Sequence, residues 1–576
     1  MDVPTNVKAN TSGAHMFADA LSRHGVRDIF GQSIPSALFL CAPQFGIRQI
    51  GYRTENAGAA MADAYARISG QVPVVTGQNG PAATLLVAGL AEAFKASIPI
   101  VAIVQDVHRK MTDRNAFQEL DHLELFKGCA KWIRRISECE RIDDYVDMAF
   151  TAAASGRPGP AVLIVPIDLF DEKAVRRETP RRANLGRFPL DRAGPDATVI
   201  AKAARLLATA RRPLIIAGGG VHVSGACEAL ANLQETASLP VATTTMGKGA
   251  VSEKHPLSLG PVGYFMGTRG RCRFMCDMVE GADVVLLIGN RTNQNGTDSW
   301  QLYPEDARYI HIDIDPQEIG RNYEAELRIV ADARLAIEAL TEALTAAGLS
   351  KRQAARSDVE KQIAKGLDAH VREVARVVDM DHSPVRPERM MRDLNGVLRA
   401  DDIVAADASY SSIWVANFLE AQRPGQRILT PRGLAGLGWG LPYALGAKAA
   451  RPASRVIGLV GDGGFAHVWS ELETSRRMGL AITLIVLNNQ ILGYQKHAEK
   501  VIWGDHSDVV DFCPVDHAAI ARACGVEGVR VDEPGAFLPA LERALAAEIT
   551  TVIDVITDEH AYPPVMIFEN NVRLDH

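Results

Sequence analysis

The sequence predicts an α/β protein of three domains, each a mainly parallel sheet flanked by helices. Short apolar, β-branched runs alternate with Ala-rich helical stretches along the chain, the rhythm of parallel sheets covered by helices on both faces. At ~150 residues per domain, 576 residues are too many for one domain and suit three or four. Two polar stretches cut the chain into thirds, each with its own strands.

In the first third, residues 1–185, the strand-like runs are VPVVTG (72–77), IPIVAIVQ (98–105) and AVLIVPI (161–167), preceded by the helix-like TENAGAAMADAYARI. Residues 171–195 are charged and broken by Pro and Gly, which marks a linker. The middle third, 195–345, opens on the helical ATVIAKAARLLATAR and carries LIIAGG (214–219), VVLLIG (284–289) and YIHIDI (309–314). From about 347 to 386 the chain is polar and helix-like, with no strand signal. The last third, 375–560, carries VIGLVG (456–461), ITLIVLNN (482–489) and TVIDVIT (551–557). A tail follows at 561–576; the stretch 559–576 is apolar enough to close over a site and equally suited to a surface strap.

Bulk composition narrows the function. A net charge of −7 leaves no basic footprint for nucleic acid. The apolar runs are strand-sized and interrupted, which argues against a membrane span, and the N-terminus lacks the basic-then-apolar pattern of a signal peptide. The eight cysteines are scattered without a CxxC pair, so they read as buried thiols of a cytoplasmic protein rather than as a zinc site.

The run 456–461 ends in Gly461-Asp462-Gly463-Gly464. In open α/β sheets ligands bind beyond the carboxyl ends of the strands, and such glycines let backbone N–H groups approach an anion. Asp462 would repel a phosphate unless a cation lay between them, so this turn asks for a divalent metal. A second strand ends at Asn489, 27 residues later. One carboxylate, one amide oxygen and a backbone carbonyl, completed by phosphate and water, is an oxygen set that Mg²⁺ favours.

GDG followed at this interval by NN resembles the thiamine-diphosphate signature of the acetolactate synthase, pyruvate oxidase and oxalyl-CoA decarboxylase superfamily. The resemblance implies that Asp462, Asn489 and the Ile491 carbonyl hold Mg²⁺ on the cofactor diphosphate. It places Gly461, Gly463, Gly464, Gly493 and Tyr494 at the same group, with Ser409, Tyr410 and Ser411 of ASYSS where the diphosphate is gripped. YRTENAGAAMADAYARISG (52–70) is similar to the segment that carries the family's catalytic glutamate, which puts that role on Glu55. Residues 113–132 resemble the FQE-D segment and set Phe117 and Gln118 beside the thiazolium. GLAGLGWGLPYALGA (433–447) matches the segment that bends the cofactor, with Gly436 beside Leu437, the apolar pillar. Together these imply a pyrimidine-binding domain, a Rossmann-like central domain and a diphosphate-binding domain. They imply a cofactor shared between subunits of a homodimer or homotetramer, and a 2-oxo acid such as pyruvate decarboxylated and joined to a second carbonyl compound.

Departures from acetolactate synthase limit the substrate. Gln32-Ser33-Ile34-Pro35 replaces a Gly-Gly pattern and is similar to oxalyl-CoA decarboxylase; Tyr494 stands at a usual Met, and Ala498 at a pocket Trp. Lys496 and His497 are either polar groups near the site mouth or a solvated helix surface. In the central domain Asn293, Gln294 and Asn295 replace a charged flavin motif, which leaves FAD, ADP or CoA, or no occupant open. The alternative reading is a decarboxylase or lyase of oxalyl-CoA or 2-hydroxyacyl-CoA type. A further one is an inactive regulatory paralogue, against which intact Glu55, Asp462 and Asn489 speak.

Overall fold

The structure is a computed structural model that describes residues 11–175 and 180–566. Part of the predicted linker and most of the predicted tail therefore lie outside the described residues. The chain divides into two compact units. One holds the residues up to Asp191 together with 431–452 and 473–480; the other holds 192–430, 453–472 and the chain from 481 on.

Three six-stranded sheets, parallel throughout, organise the chain, each with helices in its connections. The first runs in space Arg48–Ile50, Asp28–Phe30, Val74–Gly77, Val101–Asp106, Ala161–Pro166, Trp132–Arg135. The second runs Ser258–Pro261, Val241–Thr243, Pro213–Ala217, Val284–Ile288, Arg308–Asp313, Ala325–Val330. The third runs Ile428–Leu429, Ile403–Ala406, Val456–Gly461, Thr483–Asn488, Thr551–Ile556, Glu527–Val531. Numbered within each sheet, the first and third share the order 2-1-3-4-6-5, and the second has 3-2-1-4-5-6. Each order reverses direction beside its first strand, the first and third sheets turning back once more at the far edge, and at a reversal between neighbouring strands the connections leave on opposite faces and open a crevice at the strands' carboxyl ends.

The predicted runs are strands with small shifts at their ends. The run 214–219 stops as a strand at Ala217 because Gly218 begins a turn, and 482–489 stops at Asn488. The polar stretch after 347 is largely one 29-residue helix, Ser350–Val378. All eight cysteines are free, but the expectation of buried thiols fails at Cys513, which is exposed, and is only partly met at Cys276 and Cys524.

The helix Glu55–Ser69 is the hub of the first unit. Thr54 caps it by accepting from the Ala57 N–H, and Gly70 ends it at φ +69°. Its alanines let two helices approach closely. A Cβ on Gly89 of helix Pro81–Ala96 would lie 2.4 Å from the Ala59 Cβ, and one on Gly446 of helix Gly440–Ala450 would lie 2.1 Å from the Met61 carbonyl oxygen. The hub also buries an ion pair, Arg67 Nε on Asp63 Oδ1 at 2.5 Å, with Arg67 Nη2 donating to Tyr443 Oη at 3.2 Å.

Gly446→Ala must push two helix backbones apart, so it should destabilise the fold by about 1–3 kcal/mol. Gly396→Ala, where nothing lies within 4 Å of the new Cβ, should be neutral or slightly stabilising. Thermal denaturation of the two variants checks the contrast.

Candidate functional site

The reversal point of the third sheet lies between Ile403–Ala406 and Val456–Gly461. Both strands deliver predicted site residues there. Asp462 follows the second directly and is 5% exposed. Its Oδ1 accepts the Gly463 N–H at 2.9 Å and its Oδ2 the Gln490 N–H at 2.7 Å. Burial dominates these two bonds and pushes the carboxyl up to about 7, helped by the nearby Asp554. The second bond ties the Asp462 turn to the next strand, whose end carries Asn489. Asn489 Oδ1 accepts the Ile491 N–H at 3.4 Å. That turn is pinned from outside, since Leu492 N–H donates to the Val510 carbonyl and Phe512 N–H to the Gln490 carbonyl, each at 2.8 Å.

Two glycines here are fixed by their neighbours. A Cβ on Gly463 would meet the Phe512 ring at 3.0 Å, and one on Gly493 the Tyr410 ring at 2.7 Å. Gly464 is buried in the same turn, whereas Gly461 has open space, its nearest neighbour being Ser411 Oγ at 3.9 Å. Across the reversal, Ser409 holds φ +61° and ψ −140°, a region costly for a residue with a side chain, and starts helix Tyr410–Phe418. Ser411 and Tyr410 are buried, and the Tyr410 hydroxyl lacks a partner among the described residues. Tyr494 packs edge-on against Tyr410 at 6.3 Å.

Lys496 and His497 do not form a solvated surface. Lys496 is buried, with Nζ on Asp511 at 2.7 Å and Glu559 at 3.2 Å, while His497 stacks on Tyr562 at 4.1 Å and is pushed down to about 4 by burial. The start of the predicted tail is thus a strap. Arg386 pairs with Asp558, Arg269 donates to the Tyr562 carbonyl, and Met566 N–H donates to the Tyr264 carbonyl.

In the first unit, Glu55 is buried in the first turn of the hub helix. Gln118 sits at φ +60°, and its turn is held from behind: Asn79 Nδ2 donates to the Phe117 and Gln118 carbonyls at 3.2 and 3.0 Å. The Gly80 N–H donates to His122 Nε2 at 3.0 Å, which leaves His122 Nδ1, 3.2 Å from Asp106, to carry the proton. Phe117 projects outward, 84% exposed. Leu437 and Gly436 lie half-buried in the turn before helix Gly440–Ala450. Gln32 and Ser33 line a cavity of about 480 Å³ with Arg53 and Arg477, whose guanidiniums both approach Glu473.

The central Gly218-Gly219-Gly220 turn serves internal packing. A Cβ on Gly218 would lie 2.2 Å from the Gly289 carbonyl oxygen, one on Gly220 2.7 Å from the Gly289 Cα, and one on Gly219 3.1 Å from the Met246 Cβ. At the ends of two other strands of this sheet, the buried Thr243 Oγ1 lacks a partner among the described residues and burial pushes the Asp313 carboxyl up to about 6.

Among the described residues, no three His, Cys, Asp or Glu side chains form a metal cluster, and no helix is long and apolar enough to cross a membrane. Sequence reasoning passed over Glu92, His122 and Asn79, whose partners are all distant along the chain.

Three family descriptions match in order: the N-terminal binding domain of thiamine pyrophosphate enzymes at 11–125, their central domain at 200–340 and their C-terminal binding domain at 407–555. The chain is similar to a probable acetolactate synthase large subunit of Methanocaldococcus jannaschii, 33% identical over 95% of this chain and 92% of that one. It is similar to an acetolactate synthase of Arthrospira platensis, 32% identical over 96% of each chain. A chloroplastic acetolactate synthase 2 of Zea mays is 31% identical over 96% of this chain and 87% of its own. With matching domains and identity sustained end to end, this chain belongs to the thiamine pyrophosphate enzymes, as an acetolactate synthase-like member dependent on thiamine diphosphate.

Proposed function

We propose that the enzyme decarboxylates a 2-oxo acid such as pyruvate and joins the remaining two-carbon unit to a second carbonyl compound, in domains spanning about 1–185, 195–345 and 375–560. The observation that carries the reading is Asp462: a buried carboxylate with no cationic partner among the described residues, tied at a sheet reversal to the amide of Gln490, between Asn489 and Ile491. Relatives named acetolactate synthase support the reaction class.

The donor chemistry fits Mg²⁺. Asp462 uses one lone pair of each oxygen on an amide and keeps others, and the Asn489 amide oxygen lies on the turn tied to it. Asp462, Asn489 and the Ile491 carbonyl would hold the ion, with Gly461, Gly463, Gly464, Gly493, Tyr494 and residues 409–411 around the diphosphate. Bound thiamine diphosphate supplies an electron sink for the pair released as CO₂ leaves. Glu55 would offer the bound cofactor a carboxyl group in dry surroundings, the setting in which a positioned acid or base relays a proton. Gln118, fixed in its left-handed turn, orients the substrate. Phe117 offers an exposed apolar face that a second copy of the chain would cover, in keeping with a homodimer or homotetramer. Free cysteines suit the cytoplasm. For the central domain, the orphaned Thr243 hydroxyl and Asp313 fit a polar ligand such as FAD, ADP or CoA, although the glycine turn is filled by the protein itself.

Mass spectrometry of the ligands released by the purified protein, then incubation with pyruvate, Mg²⁺ and thiamine diphosphate, tests the reaction. Acetolactate or another 2-hydroxy ketone is expected. Untouched pyruvate with CoA bound would favour the thioester lyase reading. Glu55→Gln should bind the cofactor nearly as well as the wild type and lose turnover by about 10²–10⁴-fold; steady-state kinetics beside calorimetry checks this, and unchanged turnover would remove Glu55 from the role.

Asp462 gives a pH signature. Its carboxyl lies near 7 in the fold and near 4 in an unfolded chain, so the cation-free protein loses stability as pH rises from about 4 to about 7, then levels off. A cation that favours the carboxylate reverses the sign. Without Mg²⁺, Asp462→Asn should lose this fall in stability between about pH 4 and 7, which thermal melts across that range check. With Mg²⁺ and thiamine diphosphate, the wild type alone should gain a concentration-dependent rise in Tm.

A further inference from the structure

Glu92 lies within helix Pro81–Ala96 and is 1% exposed. A buried charge requires strong partners, and it has three consecutive backbone amides. Oε1 accepts the Gly433 N–H at 2.6 Å, and Oε2 accepts the Leu434 N–H at 2.6 Å and the Ala435 N–H at 3.2 Å. The Arg67 guanidinium adds positive charge nearby. The turn is shaped to this carboxylate. A Cβ on Gly433 would lie 2.4 Å from the Glu92 carbonyl oxygen and 2.9 Å from Oε1, so no side chain fits there. Ala435 is held at φ +61°, which a non-glycine residue rarely adopts unless neighbouring bonds enforce it. Two residues further on comes Leu437.

We infer that Glu92 is a positioning residue: its carboxylate fixes the backbone of 433–435 and so sets where Leu437 meets the cofactor. The inference rests on the reading of Leu437 as the cofactor's apolar support. A carboxylate suits the task because it accepts at several lone pairs and donates nothing, and charge-assisted bonds to amides are roughly twice as strong as neutral ones. A glutamine of the same shape turns an NH₂ group toward at least one amide N–H and loses that bond.

The test combines Glu92→Gln, Leu437→Ala and the double variant, in the full chain. Three quantities are read: hydrogen exchange of the 433–435 amides without cofactor, the dissociation constant of thiamine diphosphate with Mg²⁺, and kcat. Glu92→Gln is expected to unfold cooperatively like the wild type, to speed exchange at 433–435 by at least about tenfold, and to weaken cofactor binding or kcat by a similar factor. The double variant should be no worse than the worse single one, because both act through the same contact. Glu92→Asp, which keeps the charge, should restore part of the loss. Unchanged exchange in Glu92→Gln overturns the inference, as do losses that multiply in the double variant. If neither Glu92→Gln nor Glu92→Asp folds, Glu92 is a staple for stability alone, which also overturns it. Should Leu437→Ala leave binding and kcat unchanged, the reading of Leu437 fails instead, and the exchange result still decides whether Glu92 holds the turn.

Discussion

At Gly446 a helix backbone occupies the space where a side chain would otherwise be, and the first unit depends on that closeness. The hub helix Glu55–Ser69 is squeezed between Gly89 on one side and Gly446 on the other. Three positions proposed for the site are set by the same packing. Glu55 opens the hub helix, Glu92 sits on the helix that crosses it at Gly89, and Leu437 lies three residues before the helix that crosses it at Gly446. The close packing of three backbones thus brings the proposed positions Glu55, Glu92 and Leu437 into one frame, in which the Glu92 bonds to 433–435 set the last of them. That closeness favours small residues in this helix, even though alanine buries little apolar area per residue.

The buried acids of this protein fall into two kinds. Asp63 is met by Arg67, Glu253 by Lys248 Nζ at 2.7 and 2.8 Å, and Glu92 by three amides. Each has neutralising or donating partners enough to serve as internal scaffolding. Asp462 has two amides, another acid in its neighbourhood and a carboxyl displaced to about 7. Structural acids end up satisfied, whereas an acid left wanting a cation at a sheet reversal is the mark of a binding site. The distinction lies in the partners and not in burial, which is nearly complete for all four.

The same distinction explains what was legible in the sequence. Asp462 and Asn489 announce themselves because their chemistry is local: a glycine turn and a strand end, one strand–helix–strand unit apart. Glu92 could not be read, since its three partners lie 341 to 343 residues away. Strands followed the same logic. Val284–Ile288 and Val456–Gly461 are apolar runs buried almost throughout and were visible as such. The edge strand Glu527–Val531 mixes charged and half-exposed residues, and Ile403–Ala406 is only four residues long, so neither stands out as an apolar run; Ala325–Val330 does alternate apolar and charged residues, a pattern that a search for apolar runs passes over. The Gly218–Gly220 turn shows the opposite failure. Glycines that suggest a pyrophosphate cradle are required by the Gly289 backbone pressed against them, and sequence cannot distinguish a backbone neighbour from a ligand.

The polar residues after Asn489 bear on substrate choice by a less direct route. Lys496 and His497 are engaged by Asp511, Glu559 and Tyr562, so neither offers a spare charge to a substrate. Ala498, in place of a bulky ring, packs against the core of the same unit. These side chains lock the helix Gly493–Trp503 to the strap at 558–566 and to the segment 510–512 that braces the Asn489 turn. Through Asp511 they tie that helix to the segment whose Val510 carbonyl and Phe512 N–H bond the backbone on either side of Ile491. The Gln32-Ser33 turn, by contrast, opens on a cavity of about 480 Å³, so there the space is not filled in by the protein's own packing.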